Sequence, residues 1–350
     1  MGGSALFFMH VNGLRSGRRA SGDTMAKNAD LTLAKHRKED EFYTRLVDIE
    51  NELRHYKRHF EGKTVFCNCD DPRSSNFFKY FSENFEVLKL RKLIATCYKS
   101  CDLFEFSRGI NEHGICQIYE GDRNGNRRVD DDEVGVRALQ GDGDFRSGEC
   151  VELLKESDIV VTNPPFSQFR EYVAQLVKHE KKFIIIGNQN AIKYKEIFPL
   201  IMANKIWLGY GFNRNCAHFI TDYEDNASDR DHRKGMIRVP SVTWYTNLEI
   251  PKRHELYPLY KKYTPEEFPK YDNYDAIEVG KTADIPIDYD GVMGVPITFM
   301  YKYNPDQFEI LGVFNHGSDS EFDLAKPVLK GRELYSRIAI RHRRGVKNEN

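Results

Sequence analysis

Short apolar runs alternate with amphipathic segments through the first half of the chain. The segments KTVFCNCDD, KLIATCY, DIVVTN and KKFIIIGN (residues 63–71, 92–98, 158–163 and 181–188) are largely apolar runs, which predict buried strands. Strands of this kind, separated by helices, are typical of a parallel sheet with helices on both faces. We therefore predict an α/β fold, whose ligands bind beyond the carboxyl ends of the strands.

Amphipathic segments beside these strands predict the helices. Apolar residues recur at intervals of three and four over residues 40–60, and residues 169–180 form another amphipathic segment. Residues 74–85 predict a further helix, with Ser74 or Ser75 near its N-cap. The polar segments CDDP, GDGDF and NPPF all fall at or near the ends of predicted strands, which is where a site is expected.

The sequence divides into three parts. Residues 1–24 hold a short apolar patch and an Arg-rich stretch, and we expect a disordered extension ahead of Met25. Residues 25–204 contain the alternating strands and helices and form the predicted catalytic domain. Residues 205–350 are rich in tyrosine, proline and short β-like pieces, which predicts a β-rich lobe that ends in a basic tail.

Composition indicates a large folded core without a membrane span. Of the 350 residues, 40% are hydrophobic, and no apolar run approaches the roughly 18 residues that cross a bilayer. Net charge is −1, yet residues 326–350 hold eight Lys and Arg against two Glu, as a solvated end or a phosphate-binding edge would. The seven cysteines show no paired C-x-x-C spacing, so reduced thiols and a cytoplasmic location are expected. We interpret Cys67 and Cys69 as thiols of a strand and predict no metal site.

One segment partly matches the sequence pattern of a calcium-binding loop. In DRNGNRRVDDDE, the residues Asp122, Asn124, Asn126 and Glu133 stand at positions 1, 3, 5 and 12 of such a loop. Position 6, which requires glycine, is Arg127, and the preceding segment ICQIYE favours a strand rather than a helix. We therefore predict a hairpin with NGN as its turn.

The segment NPPF, residues 163–166, ends a buried strand and holds an amide and an aromatic ring there. The Asn163 side-chain carbonyl and the Pro164 backbone carbonyl can accept hydrogen bonds from the exocyclic amine of an adenine, which frees its lone pair. Pro165 makes the segment rigid before the substrate arrives, and Phe166 can stack on the base. A base in a duplex reaches such a pocket only when it is flipped out. The alternative is a proline-terminated strand with a buried phenylalanine.

Longer segments resemble the EcoRI-type adenine-N6 DNA methyltransferases of restriction–modification systems. The resemblance runs from about Ala26 to Ile340 and is most specific in CNCDDPRSSNFFKYF and YDGVMGVPITF (residues 67–81 and 289–299). It implies a Rossmann-like methyltransferase sheet, S-adenosyl-L-methionine as methyl donor, and a flipped-out adenine in double-stranded DNA as substrate. Target recognition would lie in the C-terminal lobe, and the enzyme would act as a monomer. A cognate restriction endonuclease is not inferred.

The resemblance also implies cofactor-binding roles in the N-terminal part of the chain. Phe42, Tyr43 and Thr44 match the front motif that lines the methionine end of the cofactor, although Tyr43 could equally pack in an ordinary helix. Asp70 and Asp71 stand at the first-strand motif, where they would hold the amino group or ribose of the cofactor. The alternative for these two aspartates is capping of a turn and a helix.

A second group of cofactor contacts is implied by GDGDF. Asp144 and Phe145 would hold the adenine of the cofactor, and Asp142 could perform this task instead. The sequence departs from the general methyltransferase class in two places. RSSNF replaces the glycine-rich loop, and the second strand, LIATCY, lacks the usual acidic residue for the ribose. Both departures also occur in the EcoRI-type family, so they affect the cofactor contacts more than the function.

Two alternatives stay open. Other N-P-P-F methyltransferases act on RNA or on a glutamine side chain of a protein, although a glutamine enzyme would not need the long β-rich C-terminal region. The chain could also be a catalytically inactive DNA-binding relative, against which the intact segment Asn163–Phe166 argues. Calorimetry of cofactor binding separates the last case, because an inactive module can bind DNA without a cofactor.

Overall fold

The computed structural model describes residues 43–69, 71–98, 113–212, 216–220, 236–317 and 321–343. The predicted extension of residues 1–24, and the candidate residues Phe42 and Asp70, lie outside these ranges. The described residues form two compact units, one with residues up to 191 together with 206–250, and one with 192–205 together with residues from 251 onward. This division differs from the predicted boundary between residues 204 and 205.

Strands occur throughout the described residues, and most helices lie in the first unit. In chain order the strands are Tyr43–Thr44 (β1), Thr64–Asn68 (β2), Lys92–Cys97 (β3), Ile115–Tyr119 (β4), Val134–Ala138 (β5), Ile159–Thr162 (β6), Lys182–Asn188 (β7), Trp207–Leu208 (β8), Cys216–Ile220 (β9), Met236–Pro240 (β10), Val242–Thr246 (β11), Ala276–Glu278 (β12), Val292–Pro296 (β13), Phe308–Asn315 (β14), Asp323–Ala325 (β15), Val328–Leu329 (β16), Arg332–Glu333 (β17) and Arg337–His342 (β18). The α-helices are Leu46–Leu53 (α1), Lys57–Phe60 (α2), Asn76–Glu83 (α3), Phe85–Leu88 (α4), Gly148–Glu156 (α5), Phe169–Lys178 (α6) and Phe198–Met202 (α7).

The first unit is built on an eight-stranded mixed sheet in the order β5–β4–β3–β2–β6–β7–β11–β8. The four predicted strands β2, β3, β6 and β7 are confirmed and pair in parallel, whereas β4 and β11 are antiparallel to their neighbours. The expectation of a parallel sheet therefore holds only at its centre. Because β5 runs antiparallel to β4, the carboxyl ends of β5, β3, β2, β6 and β7 lie at one edge, called the carboxyl edge below.

The predicted helix over residues 40–60 is wrong at its start and in its continuity. Tyr43 and Thr44 form β1, which pairs with β9, and α1 begins only at Leu46. Tyr56, with φ −113° and ψ 3°, separates α1 from α2. The 3.6-residue pattern could not show this, because the partner strand of β1 is remote in the sequence.

The predicted antiparallel hairpin is confirmed in its first strand, β4, but the prediction is wrong about its turn and second strand, because NGN does not join the paired strands and RRV (residues 127–129) is not a strand. The second strand begins at Val134, so residues 120–133 connect the two strands. In this connection the Asp122 carboxylate accepts hydrogen bonds from the backbone amides of Gly125 and Arg127, both at 2.6 Å. Arg127 adopts a left-handed φ of 63° at the position where a calcium loop has glycine.

The second unit contains a five-stranded sheet in the order β12–β13–β18–β14–β15 and the separate hairpin β16–β17. Tyr271, on the loop before β12, packs in its core and donates a hydrogen bond of 2.5 Å to Glu278. The Glu278 carboxylate also accepts from the guanidinium of Arg337 on β18, at 2.6 Å. This largely buried ion pair links β12 to β18, which lie on either side of β13 in the sheet. None of the described helices is long and apolar enough to cross a membrane.

Candidate functional site

The segment NPPF leaves the carboxyl end of β6, at the centre of the large sheet. Thr162, the last residue of β6, is fully buried and donates a hydrogen bond to the backbone carbonyl of Asn68 at the end of β2. Asn163 is partly exposed, although its Oδ1 atom is buried, and Pro164 is buried. The Pro165 carbonyl accepts a 3.0 Å hydrogen bond from the backbone amide of Gln168, which closes the turn. The segment therefore contains a closed turn and a partly exposed Asn163, whose side-chain oxygen is covered in this structure.

Phe166 begins a short 3₁₀-helix that leads directly into α6. Its ring is partly buried and packs against the hydrophobic core. Phe169, the first residue of α6, packs on Tyr245 of β11 with the ring centroids 5.1 Å apart. A Cβ atom at Gly187 of β7 would lie 2.5 Å from the Phe169 ring, so only glycine allows this close approach. The first residues of α6 thus pack closely on the sheet, directly after NPPF.

Tyr172, one turn into α6, connects three parts of the carboxyl edge. It is fully buried, and its hydroxyl donates a hydrogen bond to Asn68 Oδ1 at the end of β2. The Phe145 ring meets it edge to face, with the centroids 5.0 Å apart. Burial raises the pKa of Tyr172 well above its ordinary value, so the hydroxyl stays protonated and remains a donor. Sequence analysis missed this residue, because its helical spacing indicated only core packing.

The segment after β5 is attached to α6 through charged and polar contacts. Arg146 donates to both carboxylate oxygens of Asp144, at 2.9 and 2.7 Å, and to Glu171 of α6 at 2.9 Å. The hydrogen bonds from Arg146 lower the pKa of Asp144 below its ordinary value, so the carboxylate stays ionised. The Phe145 carbonyl accepts a 3.0 Å hydrogen bond from Gln175, also on α6.

The GDGDF loop also lies directly against the end of β3. Gly143 has a φ of 79°, and a side chain there would collide with the carbonyl of Cys97, the last residue of β3. Asp142 accepts a hydrogen bond from the backbone amide of Asp144, at 3.1 Å. Asp142, Asp144 and Phe145 are therefore brought to the carboxyl edge, as the sequence predicted for a loop that follows a strand end.

The turn after β2 replaces a glycine-rich loop. Cys69 adopts a φ of 85°, and its backbone amide donates to the Thr96 carbonyl of β3 at 3.1 Å. The Asp71 carboxylate accepts from the backbone amide and the guanidinium of Arg73, at 2.9 and 2.6 Å. Ser75 caps α3 by accepting from the backbone amide of Phe77, so the predicted cap is confirmed. Asp71 thus performs the turn-capping role that we gave as its alternative.

The front motif lies next to this turn. The Thr44 carbonyl accepts a 2.8 Å hydrogen bond from the side chain of Asn76, the first residue of α3. Thr44 is buried, and its Oγ1 has no hydrogen-bond partner among the described residues. Tyr43 pairs with Ile220 in the small sheet β1–β9–β10, so its alternative interpretation as helix packing is wrong.

A buried carboxylate that sequence analysis missed holds the loop after β8. Glu52 on α1 accepts hydrogen bonds from the backbone amides of Tyr210 and Gly211, at 2.8 and 2.9 Å, and from the hydroxyl of Tyr56 at 2.8 Å. The Tyr210 ring also stacks on His55, with the centroids 3.5 Å apart. Because β8 is parallel to β7, this loop also leaves at the carboxyl edge.

A cavity of 310 Å³ opens beside the turn after β2. Its lining includes Arg73, Ser74 and Lys79, and none of residues 163–166 contributes to it. We therefore do not assign the reacting groups to this cavity. Within the described residues, no group of His, Cys, Asp and Glu side chains is arranged to hold a metal ion.

Comparison with known proteins defines the class. Residues 30–345 match the model of the family described as "Adenine-specific methyltransferase EcoRI", which covers most of the chain. With NPPF at the carboxyl edge of a mixed α/β sheet, the chain is an adenine-specific methyltransferase. An enzyme of this class requires a methyl donor.

Similar proteins agree with this assignment. The chain is 50% identical over 91% of its length to Type II methyltransferase M.EcoRI of Escherichia coli, and covers 99% of that protein. It is 37% identical over 79% of its length to Type II methyltransferase M.MgeORF184P of Mycoplasma genitalium, covering 84% of it. It is 33% identical over 89% of its length to Type II methyltransferase M.MpnI of Mycoplasma pneumoniae, covering 98% of it. The chain thus belongs to the EcoRI family of adenine-specific methyltransferases. No solved structure matches the chain.

Proposed function

We propose that the chain transfers a methyl group from S-adenosyl-L-methionine to N6 of an adenine flipped out of duplex DNA, in or related to a type II restriction–modification system. The family and the names of the similar proteins support this proposal. The observation on which it chiefly rests is the position of residues 163–166, which leave the central strand β6 at the carboxyl edge with Thr162 tied to Asn68.

The proposed chemistry depends on two acceptors and one ring. The Asn163 side-chain carbonyl and the Pro164 backbone carbonyl accept hydrogen bonds from the two N–H groups of the adenine amine, which frees its lone pair from the ring. The Pro165–Gln168 turn directly follows these residues and restricts the backbone beside them. Because Asn163 Oδ1 is covered in this structure, its side chain turns outward when the base enters. Phe166 stacks on the face of the flipped base. When bound, S-adenosyl-L-methionine would supply a methyl group on a sulfonium, whose C–S bond breaks as N6 bonds to the methyl carbon. The methylated nitrogen is then positively charged and releases one of its protons readily, so no strong general base is required.

Several residues at the carboxyl edge fit a cofactor with hydroxyl, amine and carboxylate groups. Thr44 offers a buried hydroxyl that has no partner among the described residues, next to the turn after β2. The Asp144 carboxylate is occupied by Arg146, so we assign the cofactor's adenine to Asp142, with Phe145 packing behind it. Asp71 is tied to Arg73, and we give it the role of fixing the turn rather than a direct contact.

The domain roles complete the proposal. We assign the Rossmann-like methyltransferase fold to the large sheet, including β8 and β11, which follow the expected boundary. Recognition of the DNA target belongs to the C-terminal part of the chain, in particular the unit with the five-stranded sheet. A monomer that modifies one strand at a time is sufficient for this reaction.

Methylation with a labelled donor tests the function. The chain is incubated with methyl-labelled S-adenosyl-L-methionine and, separately, duplex DNA, RNA and protein, and the DNA is digested to nucleosides. We expect label only in N6-methyladenine of duplex DNA, at a defined sequence. Label in RNA or in protein glutamine would contradict the proposal. DNA binding without cofactor binding or methyl transfer would identify an inactive relative.

A further inference from the structure

The hairpin β16–β17 is a short, two-stranded ribbon with a basic tip. Val328 pairs with Glu333 and Leu329 with Arg332, so the turn consists of Lys330 and Gly331. These two turn residues have φ values of 52° and 72°. Two central residues with positive φ are typical of a type I′ turn, whose twist matches that of the strands. Lys330 therefore stands at the tip of a well-defined ribbon, with Arg332 beside it.

The backbone of the ribbon is held by hydrogen bonds to the backbone and side chains of one neighbouring segment. The Asp272 amide donates to the Val328 carbonyl, and the Asp272 carboxylate accepts from the Gly331 amide, both at 2.7 Å. The Asn273 side chain accepts from the Val328 amide at 2.9 Å and donates to the Lys326 carbonyl at 3.0 Å. These contacts fix the ribbon at both its base and its turn, so its tip is displayed in one orientation.

The charges of the ribbon are available to a partner. Lys330 and Arg332 are exposed, and within the described ranges neither forms an ion pair. Lys326 at the base of the ribbon lies 3.9 Å from Glu333, at the limit of an exposed ion pair. A fourth cation, Lys193, lies with its Nζ 3.5 Å from Ser336 Oγ.

Charged side chains of both signs lie around Lys193, near the base of the ribbon. Burial lowers the pKa of Lys193, and the charge of Lys326 lowers it further, while Asp323 opposes both. Beside the ribbon, Tyr335 is 88% exposed, the most exposed large hydrophobic side chain among the described residues. An exposed tyrosine ring, with an apolar body and a polar hydroxyl, is of the kind that is enriched at binding surfaces.

We propose that the β16–β17 hairpin enters the major groove of the substrate DNA, with Lys330 and Arg332 against phosphates and base edges. This inference rests on the proposed function, which makes duplex DNA the substrate. A two-stranded ribbon fits the width of the major groove, and exposed cations without ion pairs gain affinity by releasing counterions from DNA. The segment from Lys326 to Arg337 thus becomes a specific candidate within the large recognition region.

A charge-matched pair of variants tests the proposal. Lys330→Gln with Arg332→Gln removes two charges from the ribbon. Lys89→Gln with Lys155→Gln removes two exposed charges from the first unit, where both lysines pair with glutamates at 2.7 Å. Each protein is titrated with a duplex that contains its methylation site, over a range of salt concentrations. We expect the ribbon variant to bind at least tenfold more weakly, and the slope of log affinity against log salt to fall by roughly 2, at about 0.9 per lost phosphate contact. The control should stay within twofold of wild type.

Two further measurements test whether the hairpin lies in the major groove. Methylation of guanine N7 near the site before binding blocks the major groove, and it should weaken the wild-type chain much more than the ribbon variant. Unchanged affinity and salt slope in the ribbon variant, or equal interference in both proteins, would overturn the proposal. Methyl transfer by the wild-type chain is recorded in the same assay. Its absence would contradict the proposed function, whereas unchanged binding by the ribbon variant contradicts the hairpin alone.

Discussion

The carboxyl edge of the large sheet and the β16–β17 hairpin differ in whether their polar side chains have partners within the chain. At the edge, Asp144 is bound by Arg146, and the Tyr172 hydroxyl is bound by Asn68. On the hairpin, Lys330 and Arg332 are exposed and form no ion pair within the described ranges. We infer from this difference that the two regions have different tasks. Internal partners hold the residues around the reacting groups in place, whereas unpaired charge attracts a polyanion.

The largest effect is expected from Asn163→Ala. This change removes one of the two proposed acceptors of the adenine amine and leaves the proline turn in place. We expect methyl transfer at saturating DNA to fall by roughly 10³-fold, as for loss of one preorganised polar group, while affinity for the cofactor stays within about twofold. Single-turnover kinetics measure the first quantity and calorimetry the second. A variant with wild-type turnover would show that Asn163 is not an acceptor.

A smaller effect is expected from Tyr172→Phe. This change tests whether the hydrogen bond between Tyr172 and Asn68 at the carboxyl edge contributes to the rate of methyl transfer. The change leaves Asn68 Oδ1 without its donor inside the core, at a cost of about 1–3 kcal/mol in the free energy of unfolding. We expect kcat to fall about tenfold, a loss of about 1.4 kcal/mol, while KM for DNA stays constant because the hairpin is unaffected.

Tyr119→Phe provides the control for Tyr172→Phe. Tyr119, on β4, is buried as Tyr172 is, but it packs against Phe85 rather than near NPPF. It should leave kcat unchanged. Equal losses of kcat in both variants would assign Tyr172 to general stability rather than to positioning.

The smallest effect is expected from Asp144→Asn, through the acid stability of the edge. The pKa of Asp144 is lowered from 3.8 by hydrogen bonds from Arg146, so its ionised form stabilises the fold. This contribution is fully present above about pH 4 and is lost as the pH falls through the lowered pKa. Since the carboxylate is partly exposed, we expect less than about 1 kcal/mol. Denaturant unfolding from pH 6 to pH 2 measures it.

A second variant shows whether Arg146 causes this dependence. In an Arg146→Gln background, the pH-dependent difference in stability between the chain that keeps Asp144 and the chain with Asp144→Asn should disappear. If it persists unchanged, another group lowers the pKa of Asp144, and the tie between the GDGDF loop and α6 is weaker than the contacts indicate.

The centre of the fold could be predicted from the sequence because its signals are local. The apolar runs of β2, β3, β6 and β7, and the amphipathic segment of α6, each show their structure within about ten residues. The position of NPPF at the end of β6 follows in the same way, because the interior of a central strand excludes proline. The sequence narrowed the cap of α3 to Ser74 or Ser75 from their place before an apolar helix, and the structure shows that it is Ser75.

The remaining features depend on partners that are far apart in the sequence. β1 is a strand because β9 lies beside it, and β11 joins β7 although a predicted domain boundary separates them. The link from Tyr172 to Asn68 spans 104 residues, and the ribbon is recognisable only once its contacts to Asp272 and Asn273 are seen. A pattern within one segment contains no information about such pairs.

One assay compares the two regions directly. The single-turnover rate of methyl transfer at saturating DNA, and the DNA concentration that gives half of it, are measured for Asn163→Ala and for the Lys330→Gln, Arg332→Gln variant. We expect Asn163→Ala to lower the rate and keep the half-saturating concentration, and the hairpin variant to raise that concentration and keep the rate. If both variants change the same quantity, chemistry and DNA binding are not divided between these regions.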